Sequence, residues 1–222
     1  MKFFRIFIII TALLISTINC TKKTVQIPVL DVTGIQDTIY DNSQIWIFLE
    51  VKDGDTIATL NRKNSIATTS WIYNIDKNLP MRLVIPHLQK LIEKREKPTM
   101  HPKGEDDLNY FSYVDSGSNL LSMVKFDVIY FEKNKLLNKD KFLNDSLNKH
   151  LFLTYKKDKL TVNDSLIPLR KLNNYLNKES SKKKLNVHLN FDTTINYQNY
   201  MELKARLQNI NNIELDTIEY IY

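Results

Sequence analysis

The stretch from residue 185 to residue 210, LNVHLNFDTTINYQNYMELKARLQNI, decides the fold, because it predicts one strand followed by one helix. Its first seven residues alternate strictly between apolar and polar, the apolar ones being Leu185, Val187, Leu189 and Phe191. Period two predicts a strand with one buried face. Asn196 can cap a helix, and the following apolar residues recur on one helical stripe, at Tyr200, Leu203, Leu207 and Ile210. The two apolar faces predict a helix packed on a sheet.

The sequence around this unit extends the pattern over residues 147–222. Leu151–Tyr155 and Leu160–Val162 read as two strands joined by a polar turn, and Leu169–Leu176 as a helix behind Pro168. Ile213–Tyr222 reads as a last strand. The order strand, strand, helix, strand, helix, strand predicts a two-layer sandwich with both helices on one face of the sheet.

A rougher version of the same order occupies residues 44–146. Apolar residues alternate from Ile45 to Val51, and Asp53-Gly54 favours a tight hairpin turn. A helix is expected around Leu83–Ile92, a strand at Leu108–Asp115 and a second helix at Asn119–Glu132. We therefore predict an α+β protein of two small tandem domains, each a β-β-α-β-α-β sandwich. The alternative is one such domain after an unrelated α+β segment.

The repeat is aligned by two stretches of similar sequence. Leu108-Asn109 is placed on Leu185-Asn186, which brings Asp115 onto Asp192. Ile85-Pro86 matches Ile167-Pro168 at a different spacing. On this alignment an internal duplication is expected.

The first twenty residues predict export and attachment to a membrane. Lys2 and Arg5 precede an apolar run that ends at Cys20, which is the only cysteine in the chain. A cysteine in that place is typical of a lipoprotein signal, in which it is lipidated and becomes the first residue. An uncleaved anchor and plain secretion remain as alternatives. Residues 21–43 are expected to form a polar tether that lifts the folded part off the membrane.

Composition limits the classes of partner. The formal net charge is +6, from 31 basic and 25 acidic residues, but the basic residues are scattered rather than gathered into one stripe. The one tight cluster, Lys182–Lys184, reads as a solvated loop. We expect no nucleic-acid partner for an exported protein with this charge pattern.

No motif of known chemistry predicts an active site. The four histidines, His87, His101, His150 and His188, are far apart in the sequence and lack metal-ligand spacing. Four glycines are too few for a phosphate-binding loop, and no Gly-x-Ser-x-Gly elbow occurs. His188 reads as a solvated or hydrogen-bonded residue on the polar face of its strand. We predict a protein that is not an enzyme, with no cofactor and no metal.

The last third of the chain resembles the extracytoplasmic domain of the ExbD/TolR family, the small subunits of proton-driven biopolymer transport complexes. The similar pieces are LFLTYKKDKLTVND (151–164), SLIPLRKLNNYL (165–176), the stretch 185–210 and IELDTIEYIY (213–222). Asp192 ending a strand and Tyr197 opening the next helix are the most specific part. Within that resemblance, Asp192, Tyr197 and Tyr200 are candidates for binding a partner.

The resemblance ends at the membrane. Members of the family have a spanning helix that carries an aspartate for proton flow, and the apolar segment of this chain has no acidic residue. The expected function is therefore a membrane-anchored adaptor in the periplasmic or extracytoplasmic part of the cell envelope. Its partners would be envelope or transport-complex proteins, or a second copy in a homodimer.

Strand edges at Ile213–Tyr222 and Ile45–Val51 are the expected docking sites for such partners. Two alternatives to the adaptor stay open. One is a transmembrane transporter subunit with an uncleaved helix, and the other is an enzyme whose residues the sequence does not group.

Overall fold

The computed structural model describes residues 23–97, 103–133, 139–142, 148–208 and 210–222. The predicted signal segment, with the lipidation site Cys20, lies outside the described residues. Among those residues, three α-helices accompany two six-stranded sheets, so the predicted α+β class is confirmed. None of the described helices is long and apolar enough to cross a membrane.

The first sheet is built mainly from the first half of the chain. Its strands are β1 (Val29–Leu30), β2 (Asn42–Lys52), β3 (Asp55–Leu60), β4 (Ser70–Ile75), β5 (Asn109–Asp115) and β6 (Leu120–Phe126). Their order is β1-β5-β4-β2-β3, and β6 pairs antiparallel with β5. Helix α1 spans Met81–Glu96. Asp53 and Gly54 turn the β2–β3 hairpin with positive φ, as predicted.

The second sheet is built from the rest of the chain. Its strands are β7 (Tyr130–Lys133), β8 (Lys149–Lys156), β9 (Lys159–Val162), β10 (Ser165–Leu166), β11 (Leu185–Phe191) and β12 (Ile213–Ile221), in the order β10-β9-β8-β11-β12-β7. Helices α2 (Leu172–Ser180) and α3 (Tyr197–Gln208) complete this half. Apart from the two-residue β10, residues 148–222 follow the predicted order of elements.

One turn recurs in both halves with the same spacing. Asn74–Met81 leads from β4 into α1, and Asn190–Tyr197 leads from β11 into α3, 116 residues later. In each turn the aspartate accepts a backbone N–H from the residue two positions on, at 3.0 Å for Asp76 and 2.8 Å for Asp192. Both carboxylates therefore fix the same strand-to-helix turn.

These two turns also bind each other reciprocally. The Met81 N–H donates to the Ile195 carbonyl and the Tyr197 N–H donates to the Leu79 carbonyl, each at 2.8 Å. Two equivalent hydrogen bonds exchanged in this way are the pattern expected of a local two-fold axis. The axis passes between Pro80 and Asn196, which form an antiparallel β-bridge. The first turn of each helix is thus held by the other half of the chain.

The core is continuous across the two sheets. A single cluster of buried apolar residues draws on both sheets and all three helices. Phe111 of β5, for example, makes edge-on contacts with Tyr197 and Tyr200 of α3, with ring centroids 6.1 and 6.2 Å apart. Contacts of this kind stabilise each half through the other.

The predicted helix at Asn119–Glu132 is wrong. Leu120–Phe126 forms β6, and Tyr130–Lys133 forms β7, which joins the second sheet beside β12. The tight turn that Asp115 fixes, by accepting the Gly117 N–H at 2.8 Å, returns the chain antiparallel along β5. Pairing with an existing strand outweighs the helical reading of this short apolar run.

The alignment behind the predicted repeat is also wrong. In strand order, β4 takes the place of β11 and β5 takes the place of β12, with α1 and α3 in corresponding positions. Leu108–Asp115 therefore corresponds to the last strand of the second half rather than to Leu185–Asp192. The two halves still share an order of strands and helices, but the residues that correspond between them differ from those of the predicted alignment.

The prediction of a tether over residues 21–43 does not hold for residues 26–36. Val29–Leu30 pairs parallel with the end of β5, and Leu30 is only 2% exposed. The Gln198 side chain clamps the Val29 backbone, accepting its N–H at 3.1 Å and donating to its carbonyl at 2.7 Å. Distant partners thus satisfy backbone groups that a free tether would leave to water.

Candidate functional site

Three titratable side chains form a hydrogen-bonded chain on the second sheet. His150 Nδ1 lies 2.9 Å from His188 Nε2, and His188 Nδ1 lies 2.8 Å from the Asp216 carboxylate. The residues come from β8, β11 and β12, so three strands meet at this point. We call His150, His188 and Asp216 the histidine relay.

A bulge in β12 aims Asp216 at His188. Between the pairs Val187–Leu215 and Leu189–Glu219, β11 contributes one residue, whereas β12 contributes three. Asp216 stabilises the bulge, because its Oδ1 accepts the Ile218 N–H at 3.0 Å. Its Oδ2 is hydrogen-bonded to His188. Bulges re-aim side chains in this way and often lie beside functional sites.

Strand alternation explains why the histidines share a face. Val187 and Leu189 point into the core, so His188 between them lies on the opposite face of the sheet. His150 is two residues along the neighbouring β8 from Phe152, the register partner of His188. Residues two apart on a strand point to the same face, so His150 lies on the same face as Phe152 and His188 and can contact His188 diagonally.

The protonation pattern of the relay follows from burial. His188 is only 4% exposed, and desolvation lowers its pKa below the ordinary histidine value, although Asp216 opposes the shift and His150 adds to it. A neutral His188 carries one N–H, and the Asp216 carboxylate can only accept. We therefore assign the proton to Nδ1 of His188, which leaves its Nε2 to accept from the Nδ1–H of His150.

The relay opens into a cleft of about 280 Å³. His150 and Asp216 line it together with Asn186, Glu214 and Thr217, and Phe142 forms an aromatic wall. The ring centroid of Phe142 lies 4.3 Å from that of His188 and 4.8 Å from that of His150. His188 also lines the cleft, and with only 4% of its surface exposed it lies at the cleft floor.

A second polar group lies on the core side of β12. Lys204 of α3 and Glu219 pair at 2.7 Å, with side chains 5% and 1% exposed. The Tyr200 hydroxyl also lies 3.3 Å from the same Glu219 oxygen. Glu219 Oε2 has no hydrogen-bond partner among the described residues. The bulge therefore separates two polar networks, one facing the cleft and one facing the core.

The predicted partner-binding residues are not brought together as a surface. Tyr197 and Tyr200 are 0% and 1% exposed and pack in the core, where burial raises the pKa of each hydroxyl well above its ordinary value. As partner-contacting residues they are therefore wrong, since the core encloses both rings. Asp192 fixes the turn described above, and its role in binding stays a prediction.

Neither predicted docking edge is free along its length. Strand β2 pairs with β4 through Asn42–Ile47 and with β3 through Ile47–Lys52. Strand β12 pairs with β11, and its Ile218–Ile221 part also pairs with β7. Each prediction therefore fails for the bonded part of its strand, because a neighbouring strand already uses those backbone groups.

The relay is what reading the sequence missed. The interpretation of His188 as hydrogen-bonded is confirmed, because Asp216 and His150 bond both of its ring nitrogens, but the prediction that the histidines stand isolated is wrong for His150 and His188. The place of His188 at the centre of the best-defined strand, flanked by Asn186 and Asn190 on the same face, was the available signal. Asp216 gave none, because only the bulge brings it to His188.

No group of three or more His, Cys, Asp or Glu residues that could hold a metal ion occurs in the part of the chain that the structure describes. His188 has no ring nitrogen left to bind a metal ion, because His150 and Asp216 bond both of them. Comparison with family models, with curated proteins and with solved structures finds no match to this chain.

Proposed function

We propose that this protein is a membrane-anchored adaptor of the cell envelope that acts by binding a partner rather than by catalysis. It resembles the ExbD/TolR family, so the proposed setting is energy-coupled transport or envelope maintenance. The anchor would be Met1–Cys20, with Cys20 lipidated, on the periplasmic or extracytoplasmic side. The proposed partner is an envelope or transport-complex protein, and pairing of two copies is a further part of the proposal.

The observation that carries the binding proposal is the histidine relay at the floor of a surface cleft. Buried titratable groups are destabilising unless they are fully bonded, and they concentrate at functional sites. Here a two-residue bulge and an aromatic wall hold His150 and Asp216 at an accessible surface. At about 280 Å³ the cleft is slightly smaller than most small-molecule pockets, and we propose that one or two side chains of a protein partner fill it.

The repeated turn supports the proposal that both halves are copies of one ExbD/TolR-like unit. The expected tandem domains of residues 44–146 and 147–222 do not match the sheets at their bounds, because Val29–Leu30 joins the first sheet and Tyr130–Lys133 joins the second. Asp76 and Asp192 make the same bond at the same place, and the two turns bind each other reciprocally. One unit would then have kept a largely structural role, while the other carries the cleft.

A pull-down tests the adaptor proposal. The tagged full chain, extracted from membranes in mild detergent, should retain a component of a transport or cell-wall system, and the His150→Ala variant should retain less of it. A matched control is His87→Ala, which changes a histidine of α1 that does not line the cleft. Recovery of no such component, or equal recovery by His150→Ala, would count against the proposal.

The alternative proposal is a transporter subunit with an uncleaved helix. It requires an intact N-terminus, whereas the lipoprotein proposal requires cleavage before Cys20 and a lipid on its sulfur. Mass spectrometry of the mature N-terminus separates the two. An intact Met1 supports the subunit, and a lipidated Cys20 as first residue excludes it.

A second candidate function is acid–base catalysis, which the relay itself favours. An imidazole can act as a general base through one ring nitrogen while its other nitrogen donates a hydrogen bond to a neighbouring group. An aspartate that orients this neighbouring group stabilises the protonated imidazole. His150, backed by His188 and Asp216, has that arrangement. A pH–rate profile with neutral acyl esters tests it, and a rate that is the same in Asp216→Asn would exclude it.

A further inference from the structure

We propose that the outer face of the first sheet, around Trp46 and Phe48, lies on the surface of the phospholipid bilayer. This inference rests on the proposed anchor at Cys20 and adds an orientation to it. We call Trp46, Phe48 and Lys23 the aromatic face.

Strand alternation places the two aromatic rings on the side of the sheet away from the helices. Ile45 and Ile47 are fully buried in the core, so Trp46 and Phe48 point to the opposite face. Both are half-buried, and their rings stack with centroids 6.5 Å apart. A neighbouring part of this face is covered by Ile35 and Ile39, which pack on Ile72, Tyr110 and Met123.

The chain itself brings the aromatic face to the proposed anchor. Lys23 is the first described residue, and its ammonium lies 5.7 Å from the centre of the Phe48 ring. Three residue steps separate Cys20 from Lys23, and they span at most about 11 Å when fully extended. A lipid on Cys20 would therefore keep Lys23, and with it the Phe48 ring, close to the bilayer surface.

The charge on this face suits a bilayer interface. Lys23 pairs with Glu50 at 2.5 Å, and this hydrogen bond, with a second from Thr59, lowers the pKa of the Glu50 carboxyl. The pair carries no net charge beside the rings, so desolvation at a membrane surface is less unfavourable than for a lone charge. Trp is the residue that most favours the interface, where its ring is buried and its N–H stays hydrated.

The two tryptophans of the chain make a direct test, because Trp71 is fully buried in the core and Trp46 is not. The full chain with its natural N-terminus is placed in vesicles of phosphatidylcholine and phosphatidylglycerol. Subtracting the emission of the Trp46→Phe variant from that of the wild type isolates Trp46. Vesicles with bromine on the upper acyl chain measure contact with lipid, and iodide measures contact with water.

The proposal predicts that Trp46 emission shifts to the blue on vesicle binding and is quenched by brominated lipid. Emission that stays quenched by iodide would overturn it, as would emission shielded from both quenchers, which would mean that protein covers the face. Flotation of the same samples tests the anchor separately. A chain that floats with water-exposed Trp46 refutes the orientation alone, whereas a chain that does not float refutes the anchor.

Discussion

The two halves of the chain place different chemistry at equivalent positions. With the 116-residue spacing of their shared turns, Ile72 of β4 corresponds to His188 of β11. Ile72 packs in a small apolar cluster with Tyr110 and Met123, whereas His188 is bonded to Asp216 and His150. The same buried position on the outer face of a sheet is apolar in one half and ionisable in the other.

The same contrast recurs on the core side of the helices. Leu88 of α1 corresponds to Lys204 of α3, and both are nearly fully buried. Leu88 joins the apolar core, while Lys204 requires Glu219 to balance its charge. Since an apolar residue satisfies the fold at both positions of the first half, the fold itself does not require the polar residues of the second half.

Breaking the buried ion pair should have the largest effect. Lys204→Met leaves the Glu219 carboxylate buried and unpaired, which we expect to reduce the free energy of unfolding by about 3–5 kcal/mol. Urea unfolding followed by circular dichroism measures it. The control Leu88→Met, at the equivalent apolar position, should cost less than about 1.5 kcal/mol. Equal losses at the two positions would contradict the proposed difference between the halves.

Removing the charge from the relay should have the next largest effect. Asp216→Asn keeps the shape but turns one of the two oxygens that accept from His188 and Ile218 into an NH2 group, which cannot accept, so a loss of about 1.5–3 kcal/mol is expected in the same unfolding assay. Glu214→Gln, on the exposed rim of the cleft, is the matched control and should stay within about 0.5 kcal/mol of wild type. An unchanged free energy of unfolding in Asp216→Asn would mean that the hydrogen bond between Asp216 and His188 does not stabilise the fold.

A third prediction concerns the strand that the first half recruits from residues 29–30. Gln198→Ala removes two hydrogen bonds to the Val29 backbone, which should cost about 1–2 kcal/mol and speed amide exchange at residues 29–30. Arg82 holds the equivalent place on α1, so Arg82→Ala is the control. Hydrogen exchange followed by mass spectrometry distinguishes them, and faster exchange in both variants would argue against a specific clamp.

The smallest expected effect is on pH dependence. Because burial lowers the pKa of His188, the folded protein binds this proton less readily than the unfolded chain, whose histidine pKa is about 6.5. The stabilisation is therefore present above about pH 6.5 and is lost as the pH falls below it. The melting temperature of wild type should fall more between pH 7.5 and 5.5 than that of His188→Gln. Parallel curves would exclude His188 as the group responsible.

Local patterns in the sequence predicted much of the second half. Strict alternation from Leu185 to Phe191 and the turn residues Lys157-Asp158 left few alternative readings, and both occur as expected. The run Leu120–Phe126 is short and apolar, so periodicity could not separate strand from helix there. Its strand state depends on pairing with β5, which is a contact rather than a local preference.

Long-range contacts explain the remaining errors. Val29–Leu30 is a strand only because β5, more than 80 residues away, supplies its partner. The relay joins residues that are 28 and 38 positions apart, through a bulge whose extra residues leave no mark in the sequence. Cleft residues of this kind can be found only after the register of neighbouring strands is known.

The most direct test of the central claim, that the cleft of the second half is where a partner binds, is site-specific photo-crosslinking in intact membranes. A photoreactive residue at Thr217, on the cleft, is compared with one at Ser116, an exposed position of the first half. We predict a discrete adduct from position 217, identified by mass spectrometry as a transport or cell-wall component, and none from position 116. No adduct at 217, or the same adducts at both positions, would contradict the account.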